Sequence, residues 1–143
     1  MLKISAALVL LMSLSACAIQ QTVKPIEGLQ TRDICVIENP TVRAGFLESY
    51  KNTMQSKGYI VRQMPKDTPL TGCPVISTYM ANWKWDLAMY MSFAQIRVYR
   101  DGYQAGEANY DARNGGGNPA KFIDADKKIT EMVNQLFPGG APR

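Results

Sequence analysis

Cysteine is the residue type in this chain with the most distinctive chemistry, and the first of its three copies stands in a setting that decides its fate. Leu14-Ser15-Ala16-Cys17 closes a short apolar run with small residues and a thiol. That is the substrate pattern for alkylation of the sulfur by diacylglycerol, followed by cleavage just ahead of it, in bacterial export. Lys3 supplies the positive start, and Ile4 to Leu14 are too few for the roughly 20 residues that span a bilayer. Residues 1–16 are therefore expected to be a leader and Cys17 the lipid attachment point, making a membrane the first partner. An ordinary secretory cleavage beside an incidental cysteine is the competing reading. Each buried methylene contributes about 0.8 kcal/mol, so one acyl chain holds marginally and two or three hold firmly. Ala18 and Ile19 follow Cys17 where an aspartate would favour the inner membrane. The expected location is the periplasmic face of the outer membrane.

With Cys17 consumed, Cys35 and Cys73 remain as a pair in an oxidising compartment. They are expected to form a disulfide closing a loop of about 38 residues, a constraint of about 3 to 4 kcal/mol on the chain-entropy account. Two buried free thiols are the alternative, because Cys35 lies inside the apolar run Ile34 to Ile37. A catalytic thiol has no histidine to activate it. The chain contains none at all, which removes Ser-His and Cys-His catalysis and the usual zinc sites. Asp111, Asp124 and Asp126 show no pairing or metal-ligand spacing. The sequence points to no enzyme, no cofactor and no metal.

Gly115-Gly116-Gly117 precedes a helix start and lies near Arg113 and Lys121. Gly116, Gly117 and Lys121 are candidates for holding an anion, against a plain flexible connection. No Walker spacing accompanies them, so nucleotide binding is not indicated. The leader takes one lysine with it, leaving 127 residues with 15 basic and 12 acidic side chains. An excess of three is too small to argue for nucleic acid, and at most biases the chain toward anionic headgroups.

The elements that must position these residues follow from periodicity. Residues 17–32 carry Pro25 and Gly28 without sustained pattern and read as anchor and flexible tether. Ile34 to Ile37 reads as a strand buried on both faces. Asn39 or Thr41 caps a helix whose stripe is Val42, Phe46, Leu47, Tyr50 and Met54, and Gly58 stops it. Tyr59 to Gln63 is a short strand. From Val75 the period becomes two, with Val75, Tyr79, Ala81, Trp83 and Trp85 on one face. Core packing is the expected role for both tryptophans, with a membrane-interface pair as the alternative.

A strand from Ala88 to Tyr99 follows, and the turn at Asp101-Gly102 can be argued from register. A two-residue loop sets Ile96 against Glu107, whereas a three-residue loop with left-handed Gly102 sets Ile96 against Gly106 and Ala94 against Ala108. The bulged, three-residue loop is expected. Asn118-Pro119 opens the last helix, whose apolar side runs from Phe122 to Leu136, and residues 139–143 form a mobile tail. The expected fold is α+β: a two-layer sandwich in the order β-α-β-β-β-α, mainly antiparallel, with both helices on one face and a single domain over residues 33–138.

The runs Asp33-Ile34-Cys35-Val36-Ile37-Glu38-Asn39-Pro40, Trp83-Lys84-Trp85-Asp86-Leu87-Ala88 and Tyr110-Asp111-Ala112-Arg113, with the glycines after them, resemble a family of small proteobacterial lipoproteins with no assigned activity. That resemblance implies a lipoprotein and no mechanism. The element order is also similar to the lipopolysaccharide-assembly lipoprotein of the outer-membrane translocon and to the amino-terminal domain of the Tol system's propeller protein, which implies an adaptor. Helices on one face would leave Met91, Phe93, Arg97, Tyr99 and Tyr103 on the other, a composition that suits an interface with an envelope protein. The expectation is a non-catalytic adaptor. The alternative is a ligand- or lipid-binding module with a pocket between helices and sheet.

Overall fold

The computed structural model describes residues Ala18–Arg143; the leader and Cys17 lie outside the described residues. Among the described residues, six strands and two α-helices build an open mixed sheet covered on one face by the helices. The strands are β1 (Gln20–Lys24), β2 (Asp33–Ile37), β3 (Ile60–Met64), β4 (Val75–Asp86), β5 (Ala88–Arg100) and β6 (Tyr103–Asp111). The helices are α1 (Ala44–Ser56) and α2 (Ala125–Leu136). In space the strands run β1-β6-β5-β4-β2-β3, with β2 parallel to both β3 and β4 and the other pairs antiparallel. The α+β sandwich with helices on one side is the architecture expected from the periodicity.

Period-two alternation places Val75, Tyr79 and Ala81 of β4, Ala94, Ile96 and Val98 of β5, and Ala108 and Tyr110 of β6 under the helices. Onto them α1 lays Phe46, Tyr50 and Met54, and α2 lays Ile129, Met132, Val133 and Leu136. Ser49 pairs with Asp126, Thr53 with Thr130 at 3.3 Å and Lys57 with Asn134 at 3.4 Å. Both members of each pair advance by four residues, so the two helices run parallel, side by side. The Tyr50 hydroxyl is buried beneath α1 and donates to Ser77 Oγ at 2.8 Å, while Ser77 donates to the Arg97 carbonyl at 3.0 Å. Burial pushes the Tyr50 phenol well above its ordinary range despite the bond to Ser77, so it stays neutral.

Several boundaries differ from the sequence expectation. Part of the supposed tether is β1, an edge strand on β6 whose Gln21 amide donates to Glu131 at 3.2 Å and Gln135 at 2.8 Å on α2. Beyond it, Ile26 N–H donates to the Leu136 carbonyl at 2.9 Å. That approach depends on Gly106, where a Cβ would stand 3.1 Å from Ile26 Cβ and from Leu136 Cδ1. The tail is likewise held, since Ala141 N–H donates to the Lys57 carbonyl at 2.8 Å and Ala141 packs on the core. The domain therefore extends past residues 33–138 at both ends.

The caps shift as well. Asn39 accepts from the Thr41 N–H at 3.1 Å in a separate turn, and α1 begins only at Ala44. Asn118 caps a 3-10 turn, Pro119–Phe122, by accepting from Ala120 N–H at 3.0 Å. A second cap, Asp124 accepting from Lys127 N–H at 3.1 Å, starts α2. Phe122 consequently lies outside α2 and is exposed.

The β5–β6 turn corrects the expected register. Arg100 pairs with Tyr103 across a two-residue loop in which Asp101 and Gly102 both have positive φ, at 52° and 85°. A bulge then sets Val98 against Gly106, Ile96 against Ala108 and Ala94 against Tyr110, with Ala105 as the extra residue. Keeping Glu107 off the inner face was the right constraint. The chain meets it with a tight turn plus a bulge rather than with a longer loop.

Candidate functional site

The disulfide between Cys35 and Cys73 is present and joins positions 38 apart in the sequence. Cys35 projects from β2 away from the helices, so the bridge pins the loop between β3 and β4 onto the opposite face. There Cys35, Ile37 and Ile76 form a small second core, with Leu70, Met64 and Tyr99 packed against it. The rest of that face, over β4, β5 and β6, has no helix on it among the described residues.

Of the five residues expected to dock a partner, the structure brings Phe93, Arg97 and Tyr99 together on this open face. Met91 is a correction: it is 2% exposed and belongs to the main core. The pairing moves from Asn82 opposite Phe93 to Trp83 opposite Met91, so Ser92 is an extra residue that turns Met91 inward. Tyr103 is exposed but sits opposite Arg100 on the helix-side parity, and Gln104 takes its place on the open face. Sequence reasoning passed over Met80, which is exposed in the middle of that face opposite Gln95. Its signal was the parity it shares with Thr78 and Asn82.

The open face is a hydrogen-bonded layer of polar side chains. Gln95 donates to Asn109 at 2.7 Å and to Glu107 at 3.1 Å; Arg97 and Gln104 each reach Glu107 at 3.2 Å. Arg113 forks onto Asp111 at 2.9 and 2.6 Å while its guanidinium carbon lies 4.6 Å from the centre of the Phe93 ring. Asn109 beside it, then Arg97 and Gln104, hold the Glu107 carboxyl below its ordinary value, and Arg113 does the same for Asp111. On α2, Lys128 lowers Glu131.

Carboxyls depressed in the folded state add stability above their unfolded values near pH 4, and that contribution is lost as pH falls through the folded values. Thermal melts are expected to show Tm falling progressively below about pH 4. The fall should be smaller in a Glu107→Gln, Asp111→Asn double variant. An identical pH profile for both proteins would contradict the assignment.

The glycine run gives Lys121 a different role from the candidate anion site at Gly116, Gly117 and Lys121. Lys121 is 4% exposed, and its ammonium donates to the Asp86 carboxylate and to the Gly116 carbonyl. It also lies 5.2 Å from the ring centres of Tyr90 and Phe122. The cation is used internally, to fasten the β4–β5 hairpin to the 3-10 turn, and Gly116 presents it with an oxygen rather than an amide. Gly117 has open space around it. Trp83 packs partly on the core with Arg43 5.1 Å over its ring, as expected, whereas Trp85 is 71% exposed. Among the described residues no three His, Cys, Asp or Glu side chains converge as metal ligands do. No helix there is long and apolar enough to cross a membrane.

These features define a disulfide-braced α+β module with one covered and one open sheet face. No family model and no curated protein sequence matches the chain. The solved structures to which the fold is similar include two of PelC from Paraburkholderia phytofirmans, both dodecamers. One, a single-residue variant, is 12% identical with TM-score 0.57, covering 88% of this chain and 100% of that one. The other is 13% identical with TM-score 0.54, covering 87% and 99%. At such identity the likeness is one of fold, and PelC is a different protein from the two likened above by topology.

Proposed function

We propose that this protein is a lipid-anchored, non-catalytic envelope module, held through Cys17 at the periplasmic face of the outer membrane, whose open sheet face docks a protein partner. The observation that carries the reading is the surface over β4, β5 and β6, which no helix among the described residues covers. On it Phe93, Arg97, Tyr99 and Met80 stand among side chains already fixed by hydrogen bonds. Aromatic, Arg and Met side chains on a preordered surface suit the centre of an interface, because little entropy is lost on docking. The disulfide is in keeping with an exported, oxidising location. A chain without histidine suits a binding role better than acid-base catalysis.

The space between the layers is filled by Tyr50, Met132, Leu136, Ile96 and Val98, which favours docking over a ligand held between helices and sheet. A groove of about 730 Å³ lies outside the end of β2 against α1, but it is open and rimmed by Glu38, Glu48, Lys51 and Gln55. The direct test is photocrosslinking in living cells from a benzophenone residue at Phe93 or Met80, with Gln55 on the helix side as control. Discrete adducts from the open face, lost in an Arg97→Glu background, are the expected result. Equal labelling from Gln55, or none from the open face, would refute the docking role.

A further inference from the structure

Eight large apolar side chains are exposed among the described residues, and five of them, Trp85, Leu87, Met89, Phe122 and Ile123, belong to one end of the molecule. The end is built by the β4–β5 hairpin. Gln20 of β1, Asp111 of β6, Phe93 of β5 and Asn82 of β4 form one row across the sheet. Past that row the hairpin continues alone from Trp83 to Met91, an arm of four residue pairs or about 13 Å. Leu87, at φ 61°, makes its tip and is 91% exposed. One side of the arm is covered, since Asp86 is fastened to Lys121 and Tyr90 meets the Phe122 ring edge-on at 5.6 Å. The opposite side, where Trp85 pairs with Met89 at 71% and 47% exposure, is bare.

An isolated apolar tip of this kind is unusual on a monomer and marks a contact. Two observations identify what it contacts. The first is where the chain enters the fold. Because Gln20 lies in the row from which the arm projects, and Ile19 packs on the core beside Gly115, the polypeptide leads back toward Cys17 from the same end as the tip. The second is charge. Asp86, the acid at the tip, is neutralised by Lys121, and Lys84 beside it is exposed, so the arm presents apolar groups and a cation without an unpaired carboxylate.

We infer that the tip of the β4–β5 hairpin is a second membrane contact: Trp85, Leu87 and Met89 enter the interfacial region of the bilayer that holds the acylated Cys17. This rests on the proposed lipid anchor. Tryptophan fits the boundary, with its ring among acyl chains and its N–H toward the headgroups, and Lys84 reaches anionic headgroups. With anchor and tip at one end, the sheet would stand roughly upright on the membrane, and its open face would look along the surface rather than into it. The fastening of Asp86 by Lys121 is what keeps the arm projected.

The test uses the protein isolated from cells and reconstituted into vesicles of phosphatidylethanolamine and phosphatidylglycerol carrying a doxyl quencher near the headgroup. Flotation with the vesicles reports the anchor, and Trp85 emission in a Trp83→Phe background reports the tip. The expected result is flotation with Trp85 emission quenched by about half, at least twofold less quenching in Leu87→Asp, and almost none of Trp83 in a Trp85→Phe variant. Flotation with unquenched Trp85 overturns the tip contact and leaves the anchor standing. Trp85 shielded from water yet unquenched, with self-association in sedimentation, overturns it in favour of a second copy of the chain. If the protein proves unacylated and does not float, the anchor fails; Trp85 must then still be quenched at millimolar lipid, and its absence would end the proposal.

Discussion

Replacing Cys35 and Cys73 together by alanine is expected to lower stability by about 3 to 4 kcal/mol and Tm by about 10 to 15 °C. Two losses combine. The bridge ties points 38 residues apart, and without it the unfolded chain regains the freedom of that loop. The folded chain also loses the fastener of the loop between β3 and β4, the segment that carries Leu70 over Ile37 and Ile76. Thermal unfolding followed by circular dichroism decides the matter. Reductant should reproduce the drop in the parent protein and change nothing in the variant. A difference under about 3 °C would mean that the sheet alone holds the loop.

Phe46→Ala is expected to cost as much or more, about 3 to 5 kcal/mol, because it empties a site that is closed on all sides. The Phe46 ring lies parallel to that of Tyr79 with centres 5.2 Å apart. Tyr79 is in turn held at the exit of β2, its hydroxyl accepting from the Asn39 N–H and its carbonyl from the Asn39 amide, both at 3.0 Å. One ring thus joins α1, β4 and the turn after β2. Phe46→Leu keeps most of the volume and should cost about 1 to 1.5 kcal/mol. Urea unfolding of the three proteins should give midpoints in that order. Equal midpoints for Ala and Leu would show that the seam can collapse around the gap.

The sandwich was legible in the sequence because its core strands alternate cleanly and its helices carry single apolar stripes. The disulfide was legible because, on the expectation that Cys17 is acylated, Cys35 and Cys73 are the two thiols that remain to pair. The misreadings share a physical cause. β1 carries Val23 as its one aliphatic residue on the helix side, and its Gln21 turns inward to meet polar groups on α2, so nothing in Gln-Gln-Thr-Val-Lys signals a strand. The bulges at Ser92 and Ala105 each shift parity by one, which moved Met91 into the core and Tyr103 off the open face. Parity counting from a turn carries no information about an extra residue further along. Trp85 continues the alternation of β4, but the partner layers end before it does, so its face opens on solvent instead of the core. Lys121 was read by its charge, and its neighbour across the fold, Asp86, is 35 residues away.

Membrane attachment turns on the fate of one sulfur, and intact mass spectrometry of the protein extracted from envelope membranes tests it most directly. A mature chain beginning at Cys17 and carrying a thioether-linked diacylglycerol is the predicted result. A chain that begins elsewhere, or begins at Cys17 with a free thiol, would contradict it.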